Sequence, residues 1–276
     1  MKKNEDTKVV EGFGDEWSRF DQSQLDERDH QKIFNDYFSI FPWDKLSAGS
    51  VGFDLGCGSG RWAKLVAPKV GTLHCIDASE AALNVAQQNL KRATNCQFHL
   101  ASVESIPLAD QSADFGYSLG VLHHIPDTEA GIAACTSKLK PGAPFLIYLY
   151  YAFDNKPWWY RLIWRLSETG RALISRLPLP VRYLVSQVVA LLVYLPLARL
   201  SMLLHRMGMN VDSVPLSYYK EKSFYVMRTD ALDRFGTRLE KRFSRVEISE
   251  MLRTAGLGDI SFSESRPYWC AVGYKK

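Results

Sequence analysis

The stretch FDLGCGSGRW, Phe53–Trp62, sets three glycines at alternate positions behind a short apolar run and an aspartate. Read with the two residues before it, VGFDL (51–55) is a buried strand running into a glycine turn, the usual preface to a helix that faces a nucleotide. The pattern repeats outward from there. TLHCID (72–77), CQFHLA (96–101), ADFGYSLG (113–120) and APFLIYLY (143–150) read as four further strands. Between the second and third lies SEAALNVAQQNLKRA (79–93), a helix with Ser79 as N-cap and Ala82, Leu83, Ala86 and Leu90 on one face. Strands alternating with helices at this spacing predict right-handed crossovers and an α/β, doubly wound, mostly parallel sheet. Ligands of such sheets sit outside the carboxyl ends of the strands, so the loops after Leu55, Ile76, Leu100 and Ser118 are the places to look.

SRVEISEMLRTAGLG (244–258) opens with a capping box, Ser244 to Glu247, and stops at Gly256. DISFSES (259–265) and YWCAVGY (268–274) then complete a seven-stranded, Rossmann-like sheet. Four segments follow from this: 1–47, 48–150 as the α/β core, 151–243 as a helical insertion after strand five, and 244–276 closing the core.

Composition narrows the classes. The 276 residues are 46% hydrophobic and 23% charged, which argues for a folded globular chain and against disorder or a multi-span membrane protein. A net charge of +4 is too mild to indicate nucleic acid, and no nucleic-acid partner is expected. Five cysteines form an odd set with no CxxC pair, so neither a disulfide framework nor a metal site is expected. MKKNEDTKVVEGFGDEW has no apolar core behind its lysines and does not read as a signal peptide, which points to the cytoplasm.

The glycine loop then meets two acids. Asp54 precedes Gly56-x-Gly58-x-Gly60, and an anion there suits a cationic ligand better than a pyrophosphate. Asp77 ends the second strand, nineteen residues after Gly58, where a carboxylate can accept ribose hydroxyls. An adenosine with a free ribose and an amino-acid tail satisfies both demands, and S-adenosylmethionine is such a ligand. Glycines that merely permit close strand–helix packing are the plain alternative.

VGFDLGCGSG, LHCIDAS, ASVESIPLAD, DFGYSLGVLHHIPD and LKPGAPFLIYLY, in that order, resemble the class I S-adenosylmethionine-dependent methyltransferases of the small-molecule group that includes the quinone methyltransferases. The resemblance covers roughly residues 50–150. It implies that Gly56, Cys57 and Gly58, with Gly60 closing the loop, face the methionine moiety of the cofactor. Asp54 orients its amino group, Asp77 holds the ribose, Ser102, Val103 and Glu104 line the adenine, and Leu119 touches it from strand four. Many relatives carry Asp where this chain has Ser102. The resemblance also makes 1–47 a helical lid over the cofactor.

Methyl transfer requires alignment of the acceptor and, where necessary, removal of its proton. His123 and His124 are the candidate bases, with His124 preferred. Bracing of the loop is the other use of such an imidazole, and Asp127 either orients His124 or caps the next helix. Trp17, Tyr148, Tyr151, Tyr219 and Arg228 are candidate acceptor contacts.

The expected function is methyl transfer to oxygen or carbon of a small or lipid-linked acceptor. A non-catalytic cofactor-binding or membrane-docked scaffold and an NAD-dependent dehydrogenase are the other readings.

Within the insertion, 156–206 carries eight Lys or Arg against the single acid Glu168. Its longest uncharged run, Tyr183–Ala198, is sixteen residues, short of the roughly twenty needed to cross a bilayer. Trp158, Leu162, Arg165 and Leu166 make no clean stripe. Three readings remain for the insertion: a helical substrate lid, an anionic membrane surface met peripherally at its inner face, or an interface with a second copy of the chain.

Overall fold

A computed structural model describes residues 4–276, so the first three residues of the expected N-terminal lid lie outside it. The chain divides into two compact units. One comprises Met1–Gln22, Lys32–Ala152 and Leu239–Lys276; the other comprises Ser23–Gln31 and Phe153–Arg238. Residues 23–31 thus group with the insertion, although they precede the sheet in sequence. A hydrogen bond within the second unit, from the Ser223 amide to Asp29 at 2.8 Å, is one physical reason.

In the first unit, helix α1 (Thr7–Arg19) is capped by the Asp6 carboxylate, and α2 (Glu27–Tyr37) crosses the division between the units. Then β1 (Val51–Leu55), α3 (Ala63–Val66), β2 (Thr72–Asp77), α4 (Glu80–Asn89), β3 (Cys96–Leu100), β4 (Phe115–Leu119), α5 (Thr128–Ser137) and β5 (Pro144–Tyr148) follow in turn. The sheet order is β3-β2-β1-β4-β5-β7-β6, where β6 is Leu257–Phe262 and β7 is Cys270–Lys275. β1 to β5 pair in parallel, and β7 runs antiparallel to both β5 and β6. The order reverses between β1 and β4, which makes their carboxyl ends the switch-point crevice.

Two residue pairs set the β1–β4 spacing. Gly52 stands opposite Phe115, and Phe53 opposite Gly116. A Cβ on Gly52 would meet the Phe115 ring at 2.2 Å, and one on Gly116 would meet the Phe53 ring at 2.3 Å. Each ring therefore lies across the bare backbone of its partner strand, and both phenylalanines are fully buried. An aromatic cluster lies nearby: Phe38 is 5.3 Å from Tyr117 and 5.5 Å from Trp43, ring centre to ring centre. The terminal helix, which in order of introduction along the chain is α10 (Arg245–Thr254), has the expected capping box with both reciprocal bonds formed.

The second unit contains α6 (Trp158–Ile174), α7 (Leu179–Val189), a π-helical turn (Ala190–Tyr194), α8 (Leu195–Arg206) and α9 (Phe224–Gly236). Its small core is Ala190, Tyr194, Ala198, Met227 and Ala231. Leu179–Arg206 is one continuous 28-residue helix, long and apolar enough by length and composition to cross a membrane. That corrects the sixteen-residue limit: the uncharged run is short, but the helix continues through Arg182 and Arg199 at either side of it.

Gly116→Ala forces the Phe53 ring out of its slot and is expected to lower unfolding free energy by about 1–3 kcal/mol. Urea denaturation monitored by far-UV circular dichroism reads this directly.

Candidate functional site

The crevice at the carboxyl ends of β1 to β4 is a cleft of about 940 Å³, open space at its mouth included. Each strand contributes the residues just beyond its end. Gly56, Cys57 and Ser59 follow β1; Asp77, Ala78 and Ser79 end and follow β2; Ala101, Ser102 and Val103 follow β3; Leu119 to Leu122, His124 and Ile125 end and follow β4. Helix α1 supplies Val9, Val10, Phe13 and Trp17.

Asp77 organises the floor. One carboxylate oxygen accepts from the Gly58 amide and the other from the Ser79 amide, both at 2.8 Å. The glycine loop is thereby tied to the β2 terminus and to the start of α4, which Ser79 caps through the Ala82 amide. Burial pushes the Asp77 carboxyl above its usual range, and the backbone amides draw it back. Gly56 (φ +76°) carries no Cβ because one would lie 2.4 Å from Val121, and Gly58 (φ +53°) because one would lie 2.8 Å from the Trp17 indole nitrogen. Trp17 therefore covers the loop directly. Gly60 does not line the cleft; it abuts Leu90 and Ala86 of the α4 segment, which makes it a packing glycine.

The other predicted residues divide. Asp54, Gly58 and Glu104 are not part of the cleft wall. Asp54 is buried beside Tyr117, and burial pushes its carboxyl well above the ordinary range, with the nearby Tyr117 hydroxyl and Arg61 opposing. His124 lines the cleft and His123 does not, although the two imidazoles are 3.9 Å apart. They share one short 3-10 turn, so adjacent side chains diverge. The His124 Nδ1 lies 2.7 Å from the Leu239 carbonyl, which makes Nδ1 the donor and gives Nε2 the lone pair in the neutral ring.

His123 is wholly buried, stacked 3.9 Å from Tyr150. Burial, then His124 and Arg242, hold it well below the usual histidine range. Asp127 is a cap: its carboxylate accepts from the Ala130 amide at 2.9 Å. Tyr148 packs edge-on against Tyr37, and Tyr151 against Tyr268 and Trp269, so neither reaches the cleft. Tyr219 and Arg228 belong to the second unit, where Arg228 bonds Gln187 and Tyr183 and Tyr219 packs on Tyr194.

Three residues were not anticipated. Phe13 lies one helical turn before Trp17 and packs 5.0 Å from His124; that i, i+4 spacing was readable. Arg61, next to the glycine loop, lines the cleft with its guanidinium 4.2 Å from the Trp62 ring centre and 5.6 Å from that of Trp17. Asn4 exchanges two bonds with the Asp127 backbone, at 2.8 and 2.6 Å, and so fastens the start of α1 to the loop after β4. No sequence signal announced that clamp.

A Rossmann-like α/β domain with a nucleoside cleft at its switch point is the class these features define. Residues 53–147 match a family profile described as a methyltransferase domain. The chain is 35% identical over 97 residues to the ubiquinone biosynthesis O-methyltransferase of Thiobacillus denitrificans, spanning 34% of this chain and 42% of that one. It is 31% identical over 105 residues to phosphoethanolamine N-methyltransferase 2 of Caenorhabditis elegans, spanning 37% and 24% respectively. In solved structures, the fold resembles a chain of the Haloferax volcanii complex containing the Trm112 methyltransferase activator. That likeness has a TM-score of 0.55 and 14% identity, and it covers 95% of this chain and 96% of that one.

Over residues 53–147 the core of this chain is thus similar to the class I S-adenosylmethionine-dependent methyltransferase domains. It spans less than half the length of these curated relatives.

The cleft fits the family's cofactor. Asp77 keeps acceptor lone pairs beyond the two amides it already binds, as ribose hydroxyls require. Gly56 and Cys57 line the cleft where a methionine tail would lie, and Arg61 is a natural counter-charge for a carboxylate.

His123 also makes the stability of the fold depend on pH. The unfolded chain takes up a proton near pH 6.5 that buried His123 refuses, so its neutral burial stabilises the fold above that pH and the stability is lost as pH falls. The urea midpoint of the wild type is expected to fall between about pH 8 and about pH 5.5, and to fall less in His123→Phe.

Proposed function

We propose that this protein transfers the methyl group of S-adenosylmethionine to an oxygen or carbon of a small or lipid-linked acceptor. The observation that carries the reading is the single cleft wall formed by Asp77, the glycine loop, Trp17 and His124. Curated relatives that act on a ubiquinone precursor or on phosphoethanolamine support a small acceptor in general.

Bound cofactor supplies an already activated methyl, so the protein's task is alignment and proton removal. Asp77 holds the ribose while its two amide bonds keep the loop in register. Phe13 and Trp17 from α1 exclude water above the site. His124, whose tautomer is set by the Leu239 carbonyl, accepts the acceptor's proton at Nε2. Leu119 and Val103 form the apolar wall against the adenine, with Ser102 beside them.

Two variants separate binding from chemistry. Asp77→Ala removes charge-assisted hydrogen bonds worth about 1.5–3 kcal/mol, a roughly 10- to 150-fold weaker Kd for S-adenosylmethionine by calorimetry. His124→Gln is expected to keep cofactor affinity within a few-fold and to lower methyl transfer about 100-fold or more. Transfer is followed with label from the cofactor into fractionated lipid and aqueous extracts. Undiminished transfer in His124→Gln assigns that imidazole to bracing the loop. Tight cofactor binding with no transfer into any fraction makes the protein a non-catalytic binder.

A further inference from the structure

Among the described residues, every exposed large apolar side chain except Leu100 and Val246 lies between Trp158 and Met209, in the second unit. They are ordered. On α6, Trp158, Leu162, Leu166 and Leu173 recur at helical spacing with Trp159 and Ile163 beside them. On the long helix, Val181, Leu184, Val188, Leu191 and Leu192 do the same on the face opposite Arg182, Ser186 and Ala190, which are buried. The stripe that the sequence concealed becomes clear once the inward face is known: Tyr160, Trp164, Ser167 and Arg171 turn inward, and the apolar residues turn out.

Charge identifies what covers this surface. Exposed Arg161 and Arg165 border the α6 stripe one turn apart, and Arg199 and Arg206 are exposed on the long helix. The one acid between residues 155 and 211, Glu168, is engaged by Arg171 and Arg234. A second copy laid on this face would bring arginines against arginines. Anionic headgroups beside hydrocarbon satisfy both the cations and the apolar side chains.

We propose that the second unit docks on an anionic lipid bilayer, with α6 and the 179–206 helix lying in the interface. The helix does not cross, because its inward face is fastened by polar bonds to α9. Arg182 donates to the Gly236 carbonyl at 2.9 Å, Tyr194 to Asp230 at 2.8 Å, and Arg228 to Gln187 at 2.5 Å. Drawing these groups into hydrocarbon is costly, whereas lying flat leaves them intact. This inference stands on the second unit's surface and does not depend on the methyl-transfer reading.

The full-length protein is mixed with vesicles of phosphatidylcholine alone and of an equal mixture with phosphatidylglycerol, then sedimented. Binding to the anionic vesicles, weakened by added salt, is expected. Arg161→Gln with Arg165→Gln should lower the partition coefficient about 5-fold per charge removed. Brominated lipid should quench Trp158 and Trp159, seen as fluorescence lost from the wild type and not from the Trp158→Phe, Trp159→Phe variant. Should the arginine variant fail to fold, the quenching experiment on the wild type still decides. A protein that stays in solution with both vesicle types and is not quenched overturns the proposal. So does a dimer that Leu191→Gln with Leu192→Gln converts to monomer while the wild type ignores anionic vesicles.

Discussion

The Asp77 carboxylate is the constraint on which the cleft depends. It sits where β2 ends and holds two amides at once, that of Gly58 and that of Ser79, each at 2.8 Å. A carboxylate so buried is costly unless its oxygens are met by donors. The loop and the helix start provide those donors, and their positions relative to β2 are fixed in return. The same interaction that holds the loop presents a negative charge to the cleft. Loop position and the proposed cofactor contact therefore rest on one side chain, and a substitution there is expected to be felt in both.

Around that point the first unit encloses the cleft by local means. Helix α1 is anchored at its start by the Asn4–Asp127 exchange and farther along by Phe13 against His124. Trp17 occupies the space that a side chain at position 58 would need. The imidazole of His124 is held in one tautomer by a backbone carbonyl, so a proton acceptor is available without a neighbouring carboxylate. The second unit is built differently: a small apolar core, a layer of polar bonds to α9, and a broad apolar and cationic exterior.

Much of this was legible in the sequence, for identifiable reasons. β1 and β2 begin and end where their apolar runs meet a glycine or an aspartate, and the capping box at Ser244 and the glycine stop at Gly256 follow from local chemistry alone. Side-chain direction was not legible. His123 and His124 are indistinguishable as letters, yet a 3-10 turn sends one to the cleft and the other into the core. Tyr219 and Arg228 have the composition of a pocket wall, but they serve the packing of the second unit. The stripe on α6 was invisible because amphipathicity there is defined by which residues turn inward, and tryptophan and arginine occupy both faces.

Residues 23–31 show the same limit at the level of the chain, since a tertiary bond from Ser223 to Asp29 joins them to a segment far downstream. The switch-point cleft is here proposed as a nucleoside site shaped for a cationic, phosphate-free cofactor. Equilibrium titration of the wild-type protein with S-adenosylhomocysteine and, separately, with NAD, read through tryptophan fluorescence, tests it most directly. Saturable one-to-one binding of the first with none of the second is predicted; saturable binding of NAD without S-adenosylhomocysteine would contradict it.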